Sequence, residues 1–92
     1  MKLTQQFKSY LEKTYKKVLV IDERGDAHFV QIICIDGCFE GQSLLGKTRI
    51  IMKKLGDLQN LVHAISVKGF TFAEWENERV NFEPIEYKHI GR

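Results

Sequence analysis

The sequence predicts an α+β domain of order αββαβα, a small three-stranded sheet with helices on one face. Three observations lead there. Apolar residues recur at steps of three and four near the N-terminus and again in the middle of the chain. Two short β-branched runs flank a polar segment that contains a glycine, which is the pattern of a hairpin. A third such run is followed by Thr-x-x-Glu, the spacing of a helix start.

Leu3, Phe7, Tyr10, Leu11, Tyr15 and Val18 form one amphipathic stripe, with Lys8, Glu12, Lys13 and Lys16 outside it. The stripe predicts a helix over residues 4–16, with Thr4 as its cap. Val18 to Ile21 is the first strand, Asp22 to Asp26 the turn, and Ala27 to Ile35 the second strand. Asp36-Gly37 breaks that strand, and Cys38, Phe39 and Glu40 make one irregular turn. Leu44, Thr48, Ile51, Met52, Leu55 and Leu58 mark a second helix, which Gly56-Asp57 ends or bends. Val62 to Lys68 reads as the third strand. Thr71-Phe72-Ala73-Glu74 then caps a short last helix through Trp75 and Glu76.

Composition limits the function. Ninety-two residues make one domain, expected over 1–80 with a flexible tail at 81–92, and exclude most enzyme folds of about 150 residues or more. The net charge of +2 excludes a strongly basic nucleic-acid arm and leaves room for a local basic face. No apolar run exceeds four residues, far short of the ~20 that span a bilayer. Cys34 and Cys38 make no disulfide framework, so a soluble cytoplasmic or organelle-matrix protein with reduced thiols is expected. No Ser–His–Asp set, carboxylate pair or HExxH occurs, and no catalysis is expected.

Gly41-Gln42-Ser43-Leu44-Leu45-Gly46-Lys47-Thr48 fits the phosphate-loop pattern G-x-x-x-x-G-K-[ST] at every defined position. Lys47 would then reach phosphate oxygens and Thr48 would hold Mg²⁺. The surroundings argue against nucleotide binding: the sheet is too small, and no later strand ends in a metal-binding Asp. The plainer reading makes Leu44 and Leu45 the start of a core-facing helix.

From the second strand onward the chain resembles the BolA family, and within it the IbaG-type branch. Phe39-Glu40-Gly41, followed by Ser43-Leu44-Leu45, matches F-[DE]-G and its helix. Val62-His63-Ala64-Ile65-Ser66-Val67-Lys68 contains H-A-[LIV]-S-[LIV]-K, and Thr71-Phe72-Ala73-Glu74-Trp75 matches T-P-x-E-W. Phe72 replaces the family's proline, and Lys47-Thr48-Arg49 stands where many members carry R-H-R. His28-Phe29 resembles the family's His-Phe, but one extra residue separates it from Phe39. Either a β-bulge absorbs that residue, or Val30 takes the Phe position and His28 is out of register.

The resemblance implies a class II KH-like fold without the RNA-gripping GXXG loop. It implies an adaptor, a monomer alone and a heterodimer with a monothiol glutaredoxin, sharing a 2Fe–2S cluster in iron–sulfur trafficking or in iron and stress signalling. Some bacterial members are described instead as transcription regulators that bind duplex DNA. A histidine matching His63 is the family's cluster ligand, with a second ligand usually from the hairpin loop.

Alone, His63 reads as a strand histidine facing the same way as Ile65 and Val67, satisfied by a backbone carbonyl; the resemblance makes it a ligand. The loop Asp22 to Asp26 contains no Cys or His, so His28 is the nearest candidate for a second ligand. Cys34, flanked by isoleucines, reads as core, while Cys38, near a turn, is a weaker ligand or redox candidate. Lys47, Arg49, Lys53, Lys54 and Lys68 are solvated cations or a basic partner or DNA surface, with Phe70 as an exposed aromatic beside them. Trp75 and Phe72 are expected to pin the last helix to the sheet.

Overall fold

The computed structural model describes residues 2–26 and 28–82. Helix α1 spans Leu3–Glu12, strand β1 Lys17–Ile21 and strand β2 Phe29–Ile35. A 3-10 turn at Gly37–Phe39 precedes helix α2, Leu44–Leu55, and a second one at Gly56–Leu61 follows it. Strand β3, Ala64–Phe70, leads into helix α3, Phe72–Glu78, and a last 3-10 turn at Arg79–Asn81. The element order is the αββαβα expected. The sheet order is β1-β2-β3, with β1 and β2 antiparallel and β2 and β3 parallel.

The boundaries differ in instructive places. Helix α1 begins one residue early and stops four short of the expected end. Thr4 lies inside it and Lys2 holds the cap position, with no side-chain cap bond. The amides of Thr14 and Tyr15 both bond to the Leu11 carbonyl, which tightens and closes the last turn. Strand β3 starts two residues later than expected, because Val62 still closes the preceding 3-10 turn on the Gln59 carbonyl. Gly56 takes φ +52° at the end of α2, a conformation that glycine adopts without a Cβ penalty.

Strand β2 lies between the other two, and Ile32 to Ile35 are all fully buried. A central strand covered on both faces needs such a continuous apolar run. On one face, Val18, Val30, Ile32, Cys34 and Val67 pack with Phe7 and Leu11 of α1 and Ile51 and Leu55 of α2. Each such fully buried side chain contributes about 1.5–3 kcal/mol. On the other face, Ile21, Ile33 and Ile35 pack with Phe70, Trp75 and Phe82. So α1 and α2 share the expected face, whereas Trp75 carries α3 onto the opposite one. Phe82 is buried, which extends the packed domain past residue 80. The rest of the expected tail, 83–92, lies outside the described residues.

Three aromatic or apolar expectations are corrected. Phe72 is half-exposed and does not pin α3; Trp75 and Phe82 do, with ring centroids 5.8 Å apart. Phe70 is buried beside both of them and is no partner aromatic. Leu44 and Leu45 are 64 % and 58 % exposed, so the core face of α2 begins only with Lys47 and Ile51.

Candidate functional site

Two histidines meet at one end of the sheet. The parallel ladder of β2 and β3 begins with Phe29 opposite Ala64. The residues just before them, His28 and His63, therefore leave the sheet side by side. The Ala64 amide donates to the His28 carbonyl at 2.8 Å, which fixes the two backbones relative to each other. The imidazole rings stack with centroids 4.4 Å apart and planes 15° from parallel. Both residues are exposed.

The hairpin loop holds the His28 end of this pair. The Gly25 amide bonds back to Asp22, and Gly25 takes φ +77°, so the segment is the turn its composition implies. Asp26 accepts from the His28 amide at 2.9 Å and lies 3.4 Å from the Arg24 guanidinium. The amide bond, more than the nearby cation, holds the Asp26 carboxyl below the usual carboxylate range.

The register resolves the extra residue. Pairing runs without a bulge from Phe29 to Ile35 against β3 and from Gln31 to Ile35 against β1. Val30 takes the inward position, and Phe29 is left 46 % exposed. The shift does not remove His28 from the site; it sets His28 against His63. His63 in turn precedes the ladder and faces solvent, so it is not the partly buried strand histidine that its spacing suggests.

The other candidates are not brought to this pair. Cys38 follows the far end of β2, where partial burial and the Asp36 carboxylate raise its thiol pKa. Cys34 is fully buried in the core, and burial pushes its thiol up to about 12. Lys47 is buried rather than part of a surface patch, with its ammonium 2.7 Å from Glu74. Lys68 extends from the opposite sheet face over the Phe82 ring, away from α2. Arg49, Lys53 and Lys54 remain exposed on α2. Among the described residues, no three His, Cys, Asp or Glu stand together as a metal site.

The phosphate-loop stretch is likewise committed elsewhere. The Gly46 amide donates to the Ser43 hydroxyl at 2.9 Å, which caps α2. The Thr48 hydroxyl donates to the Val67 carbonyl at 3.3 Å. With Lys47 held by Glu74 and Thr48 bonded to β3, neither side chain that the pattern assigns to phosphate or Mg²⁺ is free for that role. Sequence reasoning missed the Lys47–Glu74 pair, although the Thr71-x-x-Glu74 capping box already placed Glu74 at the start of α3.

No family model matches the chain. The acid stress protein IbaG of Escherichia coli K12 is 33% identical over 57 residues, covering 60% of this chain and 68% of IbaG. The chain belongs to the BolA family. A solved BolA homologue from Coxiella burnetii is 32% identical, covers 79% of this chain and 95% of its own, and superposes with a TM-score of 0.62. The BolA domain of SufE1 from Arabidopsis thaliana is 25% identical, covers 77% and 93%, and has a TM-score of 0.66. The fold is thus the BolA fold, with the histidine pair at the open end of its parallel strand pair. No helix among the described residues is long and apolar enough to cross a membrane.

Proposed function

We propose that this BolA-family chain is an adaptor that binds a monothiol glutaredoxin and holds one side of a shared 2Fe–2S cluster through His63, with His28 as the second donor. The reading places it in iron–sulfur trafficking or in iron and stress signalling. The observation that carries it is the stacked, exposed His28–His63 pair. A 2Fe–2S cluster takes four ligands, and imidazole can replace thiolate on one iron and raise the potential. The pair offers two nitrogens, so the other two ligands come from a partner. The donor chemistry fits, and His28 fills the role that the ligand-free loop leaves open.

The chain's own contribution is positional. The β2–β3 ladder fixes where the two imidazoles emerge, and Asp26 fixes the His28 backbone. Exposure leaves both rings accessible to a partner without unfolding anything. The likeness to the BolA domain of SufE1 is consistent with an adaptor, since there the fold is one domain of a named protein.

The test mixes the chain with a cluster-loaded monothiol glutaredoxin and follows visible absorbance and circular dichroism. A changed spectrum with the parent, lost with His63→Ala and weakened with His28→Ala, is expected. An unchanged spectrum, or an unaltered one with His63→Ala, overturns the ligand assignment.

A further inference from the structure

We infer that the outward face of α2, together with the adjoining end of α1, is a docking surface for an anionic lipid bilayer. The inference involves neither histidine and does not rest on the cluster reading. Helix α2 turns Lys47, Ile51 and Leu55 inward. A step of four keeps a residue on nearly the same side of a helix. Leu45, Arg49 and Lys53 therefore make one row on the outer side, and Ile50 and Lys54 make a second row beside it. All five are exposed, Leu45 by 58 % and Ile50 by 37 %. No acid occurs from Leu44 to Leu55.

Helix α1 extends this face. The Tyr10 hydroxyl donates to the Lys54 carbonyl at 2.8 Å, and the Lys54 ammonium lies 5.7 Å from the centre of the Tyr10 ring. Lys13 ends α1 three residues after Tyr10, on the side turned to α2. Among the described residues, Lys13, Arg49, Lys53 and Lys54 have no ion pair, in contrast to Arg24, Lys47 and Arg79. The acids closest along the chain, Glu12 and Asp57, lie outside α2 and pair with none of them.

The mixture of cations and apolar groups selects the partner. A phosphodiester backbone offers polar contacts and would leave Leu45 and Ile50 in water. A bilayer surface receives both kinds of group. Anionic headgroups attract the cations, and leucine and isoleucine enter the boundary between headgroups and acyl chains. The aliphatic stems of Lys53 and Lys54 can lie along that boundary while their ammonium groups stay in water. The net charge of +2 is small, so the gathering of unpaired cations on one face supplies both the attraction and the orientation.

The test sediments the full chain with vesicles of phosphatidylcholine alone and of phosphatidylcholine mixed with phosphatidylglycerol. Binding to the mixed vesicles only, weakened by added salt, is expected. Arg49→Glu and Lys53→Glu should each weaken it by about tenfold, since each reversal removes one attraction and adds one repulsion. Leu45→Ser keeps the charge and should weaken it by about fivefold. Lys68→Glu changes the net charge equally on the opposite sheet face and should leave binding within about twofold of the parent. Absent binding to the mixed vesicles overturns the inference. So does a Leu45→Ser variant that binds like its parent, or a Lys68→Glu variant as weak as Lys53→Glu, since either result reduces the face to bulk charge. A duplex DNA that binds through Arg49 and Lys53 while the vesicles do not would assign the face to nucleic acid and overturn the lipid reading. Every substituted residue is exposed, and retained dispersion of the amide spectrum verifies that each variant is folded. No glutaredoxin and no histidine variant enters, so failure here leaves the cluster reading standing, and the reverse holds as well.

Discussion

The ammonium of Lys47 lies 2.7 Å from both carboxylate oxygens of Glu74, and only the lysine is buried, its side chain 4 % exposed against 44 % for the glutamate. The same carboxylate accepts from the Thr71 amide at 2.8 Å and so closes the capping box of α3. One side chain thus joins α2 to α3 and starts α3.

This asymmetry predicts unequal costs for breaking the pair. Glu74→Ala leaves a buried ammonium without its partner and removes half of the capping box. It should cost about 2–4 kcal/mol, the lower part of the range for a broken buried pair because Glu74 is partly exposed. Lys47→Met keeps the packing and leaves Glu74 able to turn to water, and should cost about 1 kcal/mol or less. Urea unfolding of the two variants checks the order. Equal losses would mean that the lysine is hydrated, not buried.

The pair also gives stability a pH dependence of known sign. The bond from Lys47, then the bond from the Thr71 amide, hold the Glu74 carboxyl below its ordinary value. The unfolded chain therefore binds a proton more readily than the folded one. The contribution is complete above the ordinary glutamate value of about 4.3 and is lost as pH falls through the folded value. Asp36 acts in the same direction, held low chiefly by the Cys38 amide and then the Lys16 amide. Urea midpoints from pH 7 downward should show the gap between parent and Glu74→Gln constant at neutral pH and shrinking below about pH 4.3. A gap that stays constant into acid would contradict the assignment.

The cysteines should differ in reactivity. Cys38 is exposed and Cys34 fully buried, with its thiol pushed up to about 12. The thiolate is the reactive form, so Cys34 should resist alkylation near neutral pH until the chain unfolds. Iodoacetamide should label one thiol per native chain and two in urea. Cys38 should also react more slowly than a free thiol, since partial desolvation by its neighbours and then the Asp36 carboxylate raise its pKa. Mass spectrometry of the native and unfolded samples gives both numbers.

How much of this was legible in the sequence follows from what each feature depends on. Periodicity is local, so α1, α2 and the strands were readable from Phe7-x-x-x-Leu11, Ile51-x-x-x-Leu55 and Val30-x-Ile32-x-Cys34. Pairing register is not local. Nothing near His28 states that β3 begins opposite Phe29, yet that register alone brings His28 to His63. The fate of Lys47 is hidden for the same reason, since its partner lies 27 residues away on another helix. Phe70 and Phe72 were misjudged because the sheet has a second packed face. Phe70 turns into that face beside Trp75 and Phe82, while Phe72 turns out to solvent.

Close packing at Gly69 supplies the last prediction. Gly69 lies opposite Cys34 on β3, on the face covered by α2. An added Cβ would stand 3.0 Å from Lys47 Cβ, 3.1 Å from Ile51 Cδ1 and 3.3 Å from Phe39 Cζ. The glycine is needed for space, not for an unusual backbone angle. Alanine restores some strand preference, about 0.5–1 kcal/mol, but overpacking costs about 1–3 kcal/mol, so Gly69→Ala should destabilise by about 1 kcal/mol. Ile51→Val removes the Cδ1 atom and alone should cost about 0.5–1.5 kcal/mol. In the double variant the new methyl group takes part of the space left by Cδ1, so the two losses should sum to more than the measured loss by about 0.5 kcal/mol or more. The relief is partial, because the Lys47 Cβ is fixed to its helix and stays close. Strictly additive losses in urea unfolding would show that the strand shifts to absorb the methyl and that α2 does not press on it.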